Sequence, residues 1–286
     1  MKTLVRLAVI SLVGIPLLAV NARAQVHDLA FDFKMTDSGT VMQPPVGTST
    51  GHAVVSKGRV RMDIKGTARS LAMPGAAPGD DVSLIALDSG KTLIYINPKT
   101  KQYMQFTPAE AMDRMQKMME GMGASIKFEF TGDPKVEDVG AGPVILGHKT
   151  QHYRITTGMT MTMSMMGESQ TMDMSSVTNE YLAPDLRNVS DPFRNMSSNT
   201  MGAMGGANKA YLERLKAVQA KLPNGMELRA ETEVTITGAG KTQNMVNVRE
   251  ITAIENATAS DDQFVVPTGF TKVDLPLPGG GRIPPE

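Results

Sequence analysis

Hydrophobic and polar residues alternate most strictly in Met159-Thr160-Met161-Thr162-Met163-Ser164-Met165. A strand sends successive side chains to opposite faces, so this segment predicts a strand with one thioether face and one hydroxyl face. After Gly167-Glu168-Ser169-Gln170, read as a four-residue turn, Met172 and Met174 return with the same period. Pairing Met166 with Thr171 sets Met165 opposite Met172 and Met163 opposite Met174, all on one face. The same alternation marks Leu29–Met35, with Phe31, Phe33 and Met35 inward, and then His52–Ser56, Arg59–Lys65, Val82–Leu87, Thr92–Ile96 and Gln102–Phe106. Lys57-Gly58, Ser89-Gly90 and Asn97-Pro98 punctuate them as turns. Further strands are predicted at Ser125–Thr131, Pro143–Leu146 and Lys149–Thr156, and as a hairpin of Glu227–Thr237 with Met245–Glu255 over Gly238-Ala239-Gly240. Short strands at this spacing predict a mainly β chain, an antiparallel sheet or open barrel.

Two segments change to a helical period. Thr107-Pro108-Ala109-Glu110 is a capping box with proline at the first helical position. From it, Met112, Met115, Met119 and Met122 form a stripe, and Glu110/Arg114 and Asp113/Lys117 lie on the opposite face. A second helix, Asn208–Leu222, carries Tyr211, Leu215, Val218 and Leu222 on one face and stops at Pro223-Asn224-Gly225. Ala183–Ala207 is polar and rich in Asn, Ser, Gly and Met, and reads as a long mobile loop (183–207). The proline- and glycine-rich stretch 276–286 reads as a disordered tail, leaving 25–275 as a single domain.

The N-terminus changes the setting. Lys2 and Arg6 precede an apolar run, Leu7–Val20, and Asn21-Ala22-Arg23-Ala24 supplies a small-x-small cleavage site. Residues 1–24 therefore read as a secretory signal peptide, with Gln25 as the mature start. No cysteine follows to carry a lipid anchor, so the expectation is a soluble protein of the periplasm or cell envelope. No later stretch is long and apolar enough to predict a transmembrane helix. Removing Lys2, Arg6 and Arg23 leaves 29 − 3 = 26 basic against 29 acidic residues, a balance of −3, which gives no sign of nucleic-acid binding. With zero cysteines in an exported chain, stability must come from a core. Few aromatic residues and the C-terminal Pro285-Glu286 argue against an outer-membrane barrel.

Candidate chemistry is sparse. The methionines admit three readings. They fill a core; or Met112, Met115, Met119, Met122, Met159, Met161, Met163, Met165, Met172 and Met174 line an adaptable cavity for an apolar ligand; or the Met-x-Met arrays bind a soft metal, Cu(I) or Ag(I). Successive sulfurs would lie roughly 6.6 Å apart along the strand, a gap that side chains can close. Gly47-Thr48-Ser49-Thr50-Gly51, beside His52, matches a nucleophile elbow and offers Ser49 as a hydrolase serine, but an elbow needs a strand-to-helix turn and here a strand follows. Ser89-Gly90-Lys91-Thr92 and Gly240-Lys241-Thr242 lack the upstream glycine of a phosphate loop and read as turns. His148 and His152 would be about 13 Å apart on a strand, too far for one metal ion. No catalytic residue, metal ligand set or cofactor is assigned, and the chain reads as a binding protein, not an enzyme.

Several segments resemble one family, the periplasmic lipoprotein-carrier (LolA/LolB-like) superfamily, and within it a group of unknown function. They are Lys57-Gly58-Arg59-Val60-Arg61-Met62-Asp63, Leu93-Ile94-Tyr95-Ile96-Asn97-Pro98 followed by Tyr103, Gly147–Tyr153, Glu180-Tyr181-Leu182 and Phe264-Val265-Val266-Pro267-Thr268-Gly269-Phe270. The chain departs at Tyr181, where relatives often carry tryptophan, and in its density of methionine. The resemblance implies an unclosed antiparallel half-barrel with two helices across the concave face, and a cavity for a lipid acyl chain or a lipidated segment. No protein partner is implied.

Overall fold

The alternating segments pair into one large sheet, which is left open. The computed structural model describes residues 28–39, 47–67, 80–121, 123–165, 167–186, 191–196, 199, 213–214, 216–218 and 220–274. The predicted signal peptide, the 276–286 tail, Tyr211 and Leu215, and the side chains of Met115 and Met122 lie outside the described residues.

The first six strands are β1 (Asp28–Gly39), β2 (Gly47–Ser56), β3 (Arg59–Gly66), β4 (Val82–Leu87), β5 (Thr92–Asn97) and β6 (Gln102–Phe106). The helix α1 (Pro108–Gly121) follows. Then come β7 (Ala124–Phe130), β8 (Lys135–Ile145), β9 (His148–Met165), β10 (Glu168–Ala183), β11 (Met226–Gly238), β12 (Lys241–Ala257) and the short β13 (Thr271–Lys272). Their order across the sheet is β13-β6-β5-β4-β3-β2-β1-β12-β11-β10-β9-β7, with β8 pairing the first half of β9 and β7 the second. Among the described residues, every strand pairing is antiparallel except β13 with β6. The strands β6 and β7 thus stand at opposite margins of the sheet, and α1 is the connection that carries the chain from one to the other. The helix begins where its capping box predicts: Thr107 Oγ1 accepts from the Glu110 N–H (3.1 Å), and Glu110 Oε2 accepts from the Thr107 N–H (2.8 Å).

The core lies on the inner face of β1–β5. Phe31, Phe33 and Met35 are buried, as their alternation predicts, against Met62, Leu84 and Leu228. Gly51, on β2 opposite Phe33, has no side chain because the Phe33 ring occupies that space. The outer face of the same strands is also covered. Ile85, Ile94 and Ile96 pack under Phe264, with Val266 and Phe270 around them. Arg59 reaches over the Phe264 ring (4.4 Å) and pairs with Asp261 (2.7 Å), while Arg61 donates to the Gln263 carbonyl (3.3 Å) and to Asp63 (3.2 Å). The Gly-x-x-Arg-x-Asp stretch therefore straps the C-terminal segment to the sheet.

Three expectations need correction. The turn after Met165 has two residues, not four: Met165 pairs with Glu168, Met161 with Met172 and Met159 with Met174. Gly167 supplies the left-handed conformation (φ 87°) that a two-residue hairpin loop requires. The register moves by an even number of residues, so the methionines keep their common face. The strands predicted at Lys149–Thr156 and Met159–Met165 are one continuous strand, β9, and β8 begins at Lys135, well before Pro143. Finally, 183–207 is not loop throughout. Ala183 ends β10, Pro184–Leu186 forms a 3-10 turn, and residues 192–196 are helical with Phe193 buried. Phe193 packs on Phe33 (centroids 5.4 Å apart) and Phe31 (6.0 Å), so this short helix lies on the inner face. Of the two predicted helices, α1 packs beside β7. The second is seen as helical residues 213–214 and 216–218, and Leu222 just beyond it packs on Tyr153 and Leu182.

Candidate functional site

Cross-strand partners share a face, and the registers extend the inner face well beyond the core. From Phe33 the partner on β12 is Ile251, and Arg249, Asn247 and Met245 follow at every second residue. The same spacing on β11 gives Ala230, Thr232, Val234 and Ile236, and on β10 it gives Glu180, Thr178, Ser176, Met174 and Met172. On β9 it gives Tyr153, Ile155, Thr157, Met159, Met161 and Met163, the last three paired with Phe130, Phe128 and Ile126 of β7.

Read along the strands, this face falls into three bands. The first is the packed core around Phe31, Phe33 and Phe193. The second is polar and largely ionic. Arg249 donates from Nε to Glu227 (2.9 Å) and lies over the Phe193 ring (4.3 Å). Asp191 caps the short helix by accepting from the Phe193 and Arg194 N–H groups (3.0 Å each), and accepts from the Glu227 N–H (2.9 Å). Arg194 reaches Glu180 (3.5 Å), Asn247 donates to Asp37 (2.6 Å), and Thr178 and Thr232 share a hydrogen bond (3.1 Å). A β-bulge between Tyr181 and Leu182 places an extra residue on β11 and turns Glu227 into this band. Burial, and then the charge of Glu227, push the Glu180 carboxyl up to about 7 despite Arg194. Burial likewise raises Glu227, against the pull of Arg249.

The third band is the methionine strip. Ile126, Phe128, Phe130, Met159, Met161, Met163, Met172, Met174, Val234, Ile236 and Met245 are all half-buried. Not one of them is sealed, in contrast with the core. The opposite face of the same hairpin is a ladder of hydroxyls bonded to one another or to an acid: Ser164 to Ser169 (2.7 Å), Thr162 to Thr171 (3.4 Å) and Thr160 to Asp173 (2.7 Å).

The predicted site residues distribute accordingly. Met159, Met161, Met163, Met172 and Met174 come together on the strip. Met165 is at the hairpin end, opposite Glu168 and 54% exposed. Met112 and Met119 are half-buried on α1, whose packing neighbour is β7. The Ile126, Phe128 and Phe130 flank of the strip was legible in its alternation, and so was the short helix, because Asp191-Pro192 is an N-cap followed by proline at the first helical position. The ionic band had no local signature, since its members come from segments far apart in the chain.

The remaining candidates are structural. Ser49 is buried within β2 and three residues from His52, so the two point to opposite faces and no strand-to-helix turn is present. His52 pairs with Asp32 (2.8 Å). His148 bonds Asp185 (2.7 Å), whereas His152 bonds Asn179 (3.0 Å) and stacks on Tyr181 (4.6 Å). Among the described residues, no group of three His, Cys, Asp or Glu side chains could hold a metal ion, and no helix is long and apolar enough to cross a membrane.

No family model and no curated protein matches the chain. Among solved structures it is similar to a LolA superfamily protein from Nitrosomonas europaea, at 8% identity and a TM-score of 0.28, over 84% of this chain and 91% of that one. The fold described above rests on the sheet's own strand order and registers, not on that likeness.

Proposed function

We propose that the protein is an exported, non-enzymatic binding protein whose methionine strip takes up an apolar ligand, a lipid acyl chain or a lipidated segment. The observation that carries this reading is the strip itself: a contiguous, half-open apolar surface on four strands and part of a fifth, walled from the core by an ionic band. Flexible thioethers repack around varied apolar guests at little cost, which suits a site that must accept and release them. The strip also sits at one margin of an open sheet, where a long ligand can enter from the side. The N-terminal signal pattern supports a location in the periplasm or cell envelope.

Binding of an apolar fluorescent probe tests the reading. The wild-type protein should bind it, Met163→Leu should bind it equally, and Met163→Asp should lose binding while its circular dichroism stays native. Wild-type protein that ignores the probe, or a folded Met163→Asp variant that binds it normally, would remove the strip as the site.

A further inference from the structure

The two-residue hairpin places methionines opposite methionines. Met161 pairs with Met172 and Met159 pairs with Met174, while Met163 faces Gln170 and Met165 faces Glu168. Four of the hairpin's thioethers therefore stand at the corners of a rectangle on one face, and the rest of the array has no thioether across the strand.

Directly paired Cβ atoms are about 5 Å apart and residues two apart along a strand about 6.8 Å, so the centre of the rectangle lies roughly 4 Å from each Cβ. Each sulfur is two bonds beyond its Cβ on an unbranched chain with free rotation, and a metal–sulfur bond is about 2.3 Å. All four sulfurs can then reach one point above the centre. Phe130 and Phe128 of β7 flank Met159 and Met161, and Ile236 of β11 flanks Met174, which gives the rectangle an apolar rim. Opposite Met172 stands Gly238, and a Cβ there would come within 2.7 Å of Met172 Cγ, so the glycine leaves Met172 room to turn. The four residues are half-buried, which leaves the ion a path from solvent.

We infer that Met159, Met161, Met172 and Met174 form a thioether site for a soft monovalent cation, Cu(I) or Ag(I). Four neutral sulfurs provide no charge to offset a divalent ion and no hard oxygen for Mg²⁺ or Ca²⁺, whereas soft thioether donors select Cu(I) and its congener. This site is independent of the apolar-ligand reading, although the two would share surface.

Titration of the purified protein with Ag⁺ in halide-free buffer, read by calorimetry and native mass spectrometry, tests the inference. One ion should bind per chain. The paired variant Met161→Leu with Met172→Leu should weaken binding by about tenfold or more, and leucine at all four positions should abolish it. Leucine at both Met163 and Met165 should leave it within about twofold. Leucine keeps volume and polarity, so each variant should fold with native circular dichroism and an unchanged urea midpoint, and loss of Ag⁺ binding without loss of fold assigns the loss to the thioether sulfurs. Wild-type protein that binds no Ag⁺, a four-leucine variant that binds as tightly as wild type, or an equal loss from the Met163 and Met165 pair would each overturn the assignment.

Discussion

The two apolar regions of the inner face obey one rule and end in different states. On β1, alternate positions Phe31, Phe33 and Met35 are 1%, 1% and 3% exposed; on β9, alternate positions Met159, Met161 and Met163 all reach solvent. Strand, face and period are the same in kind. The difference is what lies above: Phe193 sits on the first region, fixed there by Asp191, Glu227 and Arg249, and the ionic band stops this packing before it reaches the methionines. The two regions also differ behind the sheet. The outer face of β3–β5 lies under the Phe264 segment, whereas the outer face of the methionine hairpin is a hydroxyl ladder. Alternation specifies which side chains share a face, and the covering segment decides whether that face becomes core or surface.

Truncation should break the symmetry most. Phe33→Ala removes a ring held between Phe31, Phe193 and Gly51 and should cost about 3–5 kcal/mol, because the cavity is lined by side chains that are themselves fixed. Met161→Ala on the strip should cost about 1 kcal/mol, since solvent or neighbouring thioethers fill the space. Urea denaturation of both variants measures the contrast. Equal losses would mean that the strip is core after all.

Much of this contrast was legible in the sequence, and the rest was hidden for identifiable reasons. Period-two patterns located most strands and the inward Phe31, Phe33 and Met35, and the capping box fixed the start of α1. Hairpin register was not legible, because a two- and a four-residue turn keep the same face and differ only in which methionines meet. The first half of β8 was missed because Asp138 and Gly140 break its pattern at a bulge. The predicted strands Lys149–Thr156 and Met159–Met165 run on through Gly158, whose missing Cβ admits Thr131, and the Thr131 N–H donates to the Gly158 carbonyl (2.9 Å). The Asp191-Pro192 cap lies inside a segment whose polar composition predicts a loop. The band of Glu180, Asp191, Arg194, Glu227 and Arg249 became visible only once the sheet brought β10, β11 and β12 together.

That band gives the comparison a pH dependence. Glu180 holds its proton more tightly in the folded protein, at about 7, than an unfolded glutamate does near 4.3. The folded state therefore binds more protons between those values, and the part of the stability that Glu180 contributes should be fully present below about pH 4.3 and decline as pH rises through 7. The full decline attributable to Glu180 should be on the order of 3–4 kcal/mol, and Glu180→Gln should flatten it. Denaturation midpoints from pH 5 to pH 8 report the effect. A wild-type profile that rises with pH over this range, or one that Glu180→Gln leaves unchanged, would show that the carboxyl is not held protonated where the two regions meet.

The smallest effect concerns the back of the hairpin. Thr162 and Thr171 face each other across β9 and β10 on the outer face, with oxygens 3.4 Å apart, a weak bond between groups that water also reaches. If this part of the sheet is wet on both sides, replacing both threonines with valine removes a cross-strand hydroxyl pair but keeps the β-branched shape, and stability should move by no more than about 0.5 kcal/mol. The corresponding face of β4 and β5 is dry, so Ile85→Thr beneath Phe264 should cost several times more, about 2 kcal/mol or above, by placing a hydroxyl where Ile94 and Ile96 offer no partner. Comparing the two substitutions by urea denaturation measures how far the covering by the Phe264 segment extends across the sheet. A large loss from the valine pair would mean that something also covers the back of the methionine hairpin, and the contrast between the two regions would then belong to the inner face alone.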